Sequence, residues 1–361
     1  MFEEVQLLIN IVSVIFWFKY SFIMNNRILA IFFSLFIVLN SCISKKPVIE
    51  NFTGFTQGTT YSIVYDNSIN INTLDLKLKV EKILHDFDMS LSVYNDSSII
   101  SKINRNENVL VDSFFIDVFT KSVLISDMTN GAFDITVGPL VSAWGFGPDD
   151  HKNFTAEKRD SLMKLVGMEK ISLVNGHVIK SDPGIKLDVN AIAQGYSVDV
   201  VCRYFRSLGI LNCLVEIGGE VRAIGTKADA LWRIGIDRPE DNNMIPGQSL
   251  QAIIKISDKA VSTSGNYRKF YVEDGIKYSH TIDPNTGYPA KNRLLSATII
   301  ADDCTMADGI ATACMVMGKE KAIEFITSKP QMSAYLVFSD DSGNFKSWMS
   351  DELKKSITEE K

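Results

Sequence analysis

The sequence predicts an α+β fold, with mostly antiparallel sheets and helices inserted between groups of strands. β-rich runs follow one another through tight turns such as Asn175-Gly176 and Asp274-Gly275, which is hairpin chemistry because both central residues take positive φ. Helical periods fall between groups of these runs, and do not alternate with single strands as a doubly wound parallel sheet requires. No Pro/Ser-rich linker interrupts residues 51–350, so one integrated domain is expected there, with a charged C-terminal tail at 351–361.

Each element has its own reason. Residues 53–65, "TGFTQGTTYSIVY", are β-rich, and apolar residues at Leu76, Val80, Ile83, Leu84 and Phe87 then switch to a helical period. A second helix spans Asp112 to Met128, capped by Asp112 or Ser113, with Phe115, Val118, Phe119 and Ser122 on one face and Asn130-Gly131 as its stop. Residues 171–182 form the Asn175-Gly176 hairpin. A short strand from Lys186 runs into a third helix, from Ala191 to Leu208, which stops at Gly209. Strand-like stretches follow at 213–225, 231–239 and 251–257, then a hairpin at 268–282 and a strand at 294–301. A helix from Thr305 to Ile326 and a last hairpin at 333–348 complete the order.

The whole chain has 361 residues, is 46 % hydrophobic and 22 % charged, and carries a net charge of -6. That is enough apolar content for a sizeable core, and the absence of any basic run argues against a nucleic-acid partner. Residues 24–42 have a polar start with Arg27, an apolar run Ile28–Leu39 and then Asn-Ser-Cys, the pattern of an export signal. The run is shorter than the roughly 20 residues a bilayer span needs. Leu39, Ser41 and Cys42 resemble a lipoprotein box, although Asn40 departs from its strict form, so cleavage leaving a lipidated Cys42 and a tether over 42–50 is expected. Residues 1–41 are then the signal region, with Met24 read as the start because the upstream stretch begins with two acidic residues. The competing reading, a membrane hairpin of both apolar runs, is disfavoured by the short Lys19–Arg27 connection. Cys202, Cys213, Cys304 and Cys314 have no C-x-x-C spacing or His cluster, which argues for buried free thiols over zinc or iron-sulfur ligands.

Four places carry chemistry-bearing residues. Residues 130–148, "NGAFDITVGPLVSAWGFGP", place glycines and prolines around aromatics, as close backbone approach to a planar ligand requires; a surface loop with a buried Trp144 is the bland alternative. Residues 186–201, "KLDVNAIAQGYSVDVV", open a helix whose N-terminus can hold phosphate, although neither Gly-rich nucleotide fingerprint is present. In "MADGIAT", Asp308 and Thr312 are i and i+4, so a carboxylate and a hydroxyl share one helical face. With a backbone carbonyl they suit Mg²⁺, a hard cation that leaves sites for water and phosphate. Finally, a Ser/Thr/Gly loop at 260–266 precedes His280 and Asp283 of "SHTIDPNTGYP", where histidine can move protons near neutral pH and Asp283 can orient it.

In sequence order, "TQGTTYSIVY", "DMSLSVYNDSSIISKIN", "GAFDITVGPL", "KLDVNAIAQGYSVD", "EIGGEVRAIG", "WRIGIDRP", "AVSTSGNYRK", "SHTIDPNTGYP" and "MADGIATACMVMG" together resemble the ApbE family of flavin transferases, over residues 52 to about 345. The resemblance implies a T-fold-like domain and an Mg²⁺-dependent enzyme that takes FAD as substrate and transfers FMN to a Thr or Ser hydroxyl, releasing AMP. It implies, as target, a flavoprotein subunit of a membrane redox complex, of the NqrC or RnfG type. The setting implied is the periplasmic face, lipid-anchored, with the inner membrane favoured. A metal-dependent FAD pyrophosphatase and a non-catalytic FAD-binding lipoprotein are the alternatives. By motif, the flavin nucleotide contacts carried over are Gln57, Tyr94, Ala132, Phe133, Asp134, Asp188, Gln194 and Ile282; Gln57 stands where relatives often have Met, and Gln194 where they are commonly charged. The metal ligands carried over are the carbonyls of Ala191 and Ala311 and the side chains of Asp308 and Thr312, and a catalytic role falls to His280. Glu220, after the Gly pair, stands where relatives usually have Asp or Asn.

Overall fold

The first β-rich stretch folds as a hairpin of β1 (Ile49–Thr56) and β2 (Thr59–Asp66), with Thr56 opposite Thr59. Its turn residues Gln57 and Gly58 have φ of 51° and 71°, the geometry that two-residue hairpin turns need. The structure, a computed structural model, describes residue 19 and residues 46–146, 154–240, 247–266 and 281–359, together with the backbone of 270–273 and 276–279. Met24, Cys42 and the signal region around them, and also His280, lie outside the described residues. Of the two units into which the chain divides, Met1–Lys46 is almost wholly outside that description and Pro47–Lys361 is compact. No helix among the described residues is long and apolar enough to cross a membrane.

The hairpin is the edge of an eight-stranded sheet. It continues through β5 (Cys213–Ile217), β6 (Glu220–Ile224), β9 (Lys259–Gly265), β12 (Leu294–Ala301), β13 (Ser333–Ser339) and β14 (Phe345–Met349), with every neighbouring pair antiparallel. A three-stranded sheet orders β15 (Ile357–Glu359), β8 (Leu250–Ile256) and β7 (Trp232–Asp237). Two hairpins stand apart, β3 (Ile171–Val174) with β4 (His177–Lys180), and β10 (Phe270–Glu273) with β11 (Ile276–Ser279). The expected α+β class with antiparallel sheets is what the chain adopts.

Side-chain alternation explains the layering. Ala297, Ile299, Ala334 and Leu336 of β12 and β13 share a core with the large helices, whereas Ile300, Tyr335 and Val337 pack with Trp232, Ile234 and Ile254 of the small sheet. β12 is buried on both faces, which is why "LLSATIIA" reads as a continuous apolar run and not as an alternating one.

The helices are α1 (Thr73–Leu91), α2 (Ile99–Asn104), α3 (Ser113–Met128), α4 (Gly138–Ala143), α5 (Ala156–Met163), α6 (Asn190–Ser207) and α7 (Cys304–Thr327). Asp112 caps α3 by accepting from the Phe115 N–H at 2.9 Å, as its sequence position predicts. α6 and α7 pack on each other and on the sheet. The four cysteines 202, 213, 304 and 314 are free and buried.

Three expectations are corrected. The strand expected from Lys186 is irregular backbone, because the Asp188 N–H bonds to the Ile135 carbonyl at 2.7 Å instead of to a neighbouring strand. The Gly-rich stretch at 130–148 is not an open loop in its middle: Ile135–Val137 is a 3₁₀ turn leading into α4, and Trp144 is buried. Residues 351–359 of the expected tail carry structure. Leu353 is buried and β15 pairs with β8, Ile357 opposite Ile254. Glu359 accepts hydrogen bonds from Tyr335 Oη at 2.6 Å and Ser347 Oγ at 2.8 Å.

Candidate functional site

The site is built where α6 meets α7. Gly195 makes that meeting possible: a Cβ added there would lie 2.4 Å from the Cys304 carbonyl oxygen and 2.7 Å from Asp308 Cβ. With no side chain in the way, the Gly195 N–H donates to Asp308 Oδ2 at 2.9 Å. In a regular helix the same amide bonds to the carbonyl of Ala191, four residues back. Asp308 Oδ2 and the Ala191 carbonyl therefore converge on one N–H.

The strand side completes the cluster. Ser262 and Ser264 are alternate residues of β9 and so project from one face. Ser262 Oγ donates to Asp308 Oδ1 at 3.4 Å, and Ser264 Oγ lies 3.3 Å from Thr312 Oγ1. Asp308 is 5 % exposed. Burial pushes its carboxyl up to about 7, against the opposing pull of the Gly195 and Ser262 bonds, with the nearby Asp199 charge adding to the rise. One carboxylate, neighbouring hydroxyls and a helix carbonyl form an all-oxygen donor set, which fits Mg²⁺. Ala311 lies fully buried in the helix-side core, and its carbonyl belongs to a regular stretch of α7.

Around this cluster lies a polar rim. The side-chain amide of Gln57, at the turn of the first hairpin, is buried with neither its oxygen nor its nitrogen hydrogen-bonded. The neighbouring turn, Gly218-Gly219, sits at the same end of the sheet, since the Gly218 N–H donates to the Thr60 carbonyl at 3.1 Å. Gln194 reaches this turn: its Nε2 would be 2.6 Å from a Cβ on Gly218, beside Thr59. Gly218, at φ 63°, is therefore required both for the turn and for the space. Glu220, directly after the pair, opens β6 and is buried.

The N-terminus of α6 lies just ahead of Gly195 along the same helix. Its N-cap Val189 provides no side-chain bond, and Asp188 Oδ1 accepts the Asn190 N–H at 2.8 Å. Burial holds the Asp188 carboxyl above the usual range, opposed by that one bond. Tyr94 has an exposed side chain but is close enough to feel Asp188: partial desolvation at its protein-facing side raises its phenol, the Asp188 charge adds to the rise, and a bond with Asn190 opposes it. Beyond that one amide, the helix start with its positive dipole end is suited to phosphate.

The remaining sequence-predicted residues sit differently. Ala132, Phe133 and Ile282 have their side chains in hydrophobic clusters, so any ligand contact they make is through backbone. Asp134 caps the 3₁₀ turn, accepting from the Thr136 N–H at 2.7 Å and Thr136 Oγ1 at 2.6 Å. Asp283 builds its own turn: Oδ1 accepts the Asn285 N–H at 2.9 Å and Oδ2 the Thr286 hydroxyl at 3.1 Å. Both its oxygens have local structural uses, and nothing in this geometry aims them at a ligand. The turn is tied to the Gly-rich segment by Trp144 Nε1, which donates to the Gly287 carbonyl at 2.8 Å. Sequence reasoning took 260–266 as a loop and so missed Ser262 and Ser264 individually, although their i, i+2 spacing in a β-prone run was the available signal. It also missed Gly195, which nothing in the local sequence distinguishes from an ordinary helical glycine.

Comparison with known proteins adds the family of the chain. The model of the ApbE family matches residues 57–336. A protein of Vibrio cholerae serotype O1, named FAD:protein FMN transferase, is 36 % identical over 318 residues, which is 86 % of this chain and 93 % of its own. The solved structure titled flavin transferase ApbE from Vibrio cholerae superposes with a TM-score of 0.77 at 34 % identity, covering 86 % of this chain and 100 % of that one. The apo form of Pseudomonas stutzeri flavinyl transferase ApbE does so with a TM-score of 0.78 at 31 % identity, covering 87 % and 98 %.

Proposed function

Since the chain belongs to the ApbE family, whose curated relatives carry the name FAD:protein FMN transferase, we propose that it moves FMN from FAD to a Thr or Ser hydroxyl of a target protein, with Mg²⁺ and with release of AMP. It is a transferase, and FAD is its substrate. The observation that carries the finer reading is the meeting of Asp308 with the Gly195 amide, which gathers a carboxylate, hydroxyls and a helix carbonyl beside the start of α6.

The chain's residues divide the work by position. Asp308, Thr312 and the Ala191 carbonyl would hold the cation, which when bound supplies charge neutralisation for the pyrophosphate. The start of α6 would face the phosphates, and the unpartnered Gln57 amide with Gln194 would read the polar edge of the flavin. The acceptor hydroxyl oxygen then attacks the phosphorus on the FMN side. A new O–P bond forms, the bond to the bridging oxygen breaks with its electron pair leaving on AMP, and the hydroxyl proton is lost. His280 is the proposed group for that proton transfer.

The test is incubation of the purified protein with FAD, Mg²⁺ and an NqrC- or RnfG-like subunit of a membrane redox complex. An FMN-sized mass increase of the subunit, with AMP released and both abolished by Asp308→Ala, is expected. Free FMN without any adduct would overturn the transferase reading in favour of hydrolysis. The setting proposed is the periplasmic face, with a lipid anchor on Cys42 and the inner membrane favoured; metabolic labelling with a fatty acid should mark the wild type and spare Cys42→Ser.

A further inference from the structure

Ala191, Gly195 and Asp199 follow one another at i, i+4 and i+8 along α6, and Cys304, Asp308 and Thr312 do the same along α7. The two rows face each other in opposite directions: Gly195 meets Asp308, while Asp199 meets the beginning of α7. Asp199 is 1 % exposed and its carboxylate is fully engaged. Oδ1 accepts the Cys304 N–H at 3.0 Å and a hydrogen bond from Arg222 Nη1. Oδ2 accepts the Thr305 N–H at 2.9 Å and the Thr305 hydroxyl at 2.5 Å. Arg222, from β6, also donates from Nη2 to the Asp302 carbonyl at 3.1 Å.

The N-terminus of α7 already has a cap in Asp303, whose Oδ1 takes the Met306 N–H at 2.8 Å. Asp199 therefore satisfies the two amides ahead of that one, those of Cys304 and Thr305, from a different helix, and the half-buried Arg222 balances its charge. A carboxylate bonded to two successive amides and the adjoining hydroxyl permits only one axial register between the helices, since a slip of one residue along α7 breaks all three bonds. One turn further along, that register sets Gly195 against Asp308.

We propose that Asp199, charge-balanced by Arg222, is the positioning residue of the cation centre: it fixes the register in which α7 presents Asp308 and Thr312 to the Ala191 carbonyl, without touching the cation itself. This inference rests on the reading of that centre as a divalent-cation site. Substitution of residues that orient metal ligands lowers metal affinity roughly 10- to 100-fold, so a register pin and a mere stabiliser of the fold predict different results.

The experiment titrates the full mature protein with MgCl₂, and separately with MnCl₂, in the absence of FAD, and follows the melting temperature. Asp199→Asn is expected to keep its far-ultraviolet circular dichroism and to need about tenfold more cation for half of the stabilisation. Tyr335→Phe, which loses the bond to Glu359 in the other core, should lower the cation-free melting temperature and leave the cation midpoint unchanged. Thr305→Val should raise the midpoint in the same direction as Asp199→Asn, and Thr305→Ser, which keeps the hydroxyl, should restore it; this pair decides the matter if Asp199→Asn does not fold. A wild-type midpoint in Asp199→Asn, or in Thr305→Val, overturns the proposal. A wild type stabilised by neither cation overturns instead the cation reading beneath it.

Discussion

The Gly195 N–H and Asp308 Oδ2 lie 2.9 Å apart, and this bond exists because a helical glycine lets α7 come within the space a Cβ would fill. Gly195→Ala is thus expected to push the helices apart at the candidate cation centre. Overpacking of this kind costs about 1–3 kcal/mol, measurable by urea denaturation, and cation-dependent transfer should fall by more than that loss of stability explains.

Asp308 gives the site a pH dependence of predictable sign. Its folded value, about 7, lies above the ordinary carboxyl value of 3.8, so between those pH values the folded, cation-free protein binds a proton that the unfolded chain does not. Cation-free stability should therefore fall as pH rises across that window. Cation affinity should rise over the same range, because binding requires the ionised carboxylate. Melting curves at pH 5.5 and 8, with and without Mg²⁺, check both trends, and Asp308→Asn should remove both.

Gln57 carries a buried amide with no partner, an arrangement that costs the free protein stability and pays off only with a ligand in place. Gln57→Met, similar in length and without the amide, is expected to raise apo stability by about 1 kcal/mol. FAD should bind about three- to tenfold more weakly. Fluorescence titration with FAD, alongside thermal melts, separates the two effects.

Asp283 divides the catalytic expectation from the structural one. Both its carboxylate oxygens close the Asn285 and Thr286 turn. Asp283→Asn keeps the acceptor for the Asn285 N–H and should retain kcat within about tenfold, an order-of-magnitude bound below the usual 10²–10⁴-fold loss of an acid or base. Steady-state kinetics with a protein acceptor decide it; a larger loss in kcat with an unchanged melting temperature would restore its catalytic role.

The C-terminal residues are part of the fold. Ending the chain after Ser350 removes buried Leu353 and the β15 partner of β8, which should cost roughly 2 kcal/mol or more. The expected signature is a lower melting temperature with little change in FAD affinity.

What the sequence made legible is what local chemistry determines. The spacing of Asp308 and Thr312 in a helical period gave their shared face, and the Asn-Gly and Asp-Gly pairs gave the hairpins at Val174–His177 and Glu273–Ile276. The interhelical register was not legible, because Gly195 acquires its purpose only when α7 arrives from more than a hundred residues downstream. Ser262 and Ser264 were hidden for a related reason: small hydroxyl residues beside Gly265 resemble a loop until neighbouring β6 and β12 make them a central strand. Asp283 was ambiguous because a turn-forming carboxylate and a catalytic one have the same local sequence; the bonds of its two oxygens reveal the turn-forming use.

The strand order of the large sheet has a kinetic consequence. β2 pairs with β5, Tyr65 opposite Cys213, with the whole of residues 67–212 interposed. Closing so long a loop must precede any reward from the pairing, which slows folding. The turn bearing Gln57 and the turn bearing Gly218 adjoin only once that closure is made, and Asp308 arrives later still along the chain. The nascent polypeptide is thus expected to have no affinity for cation or flavin nucleotide until its tertiary structure is nearly complete, so that neither ligand acts as a folding template.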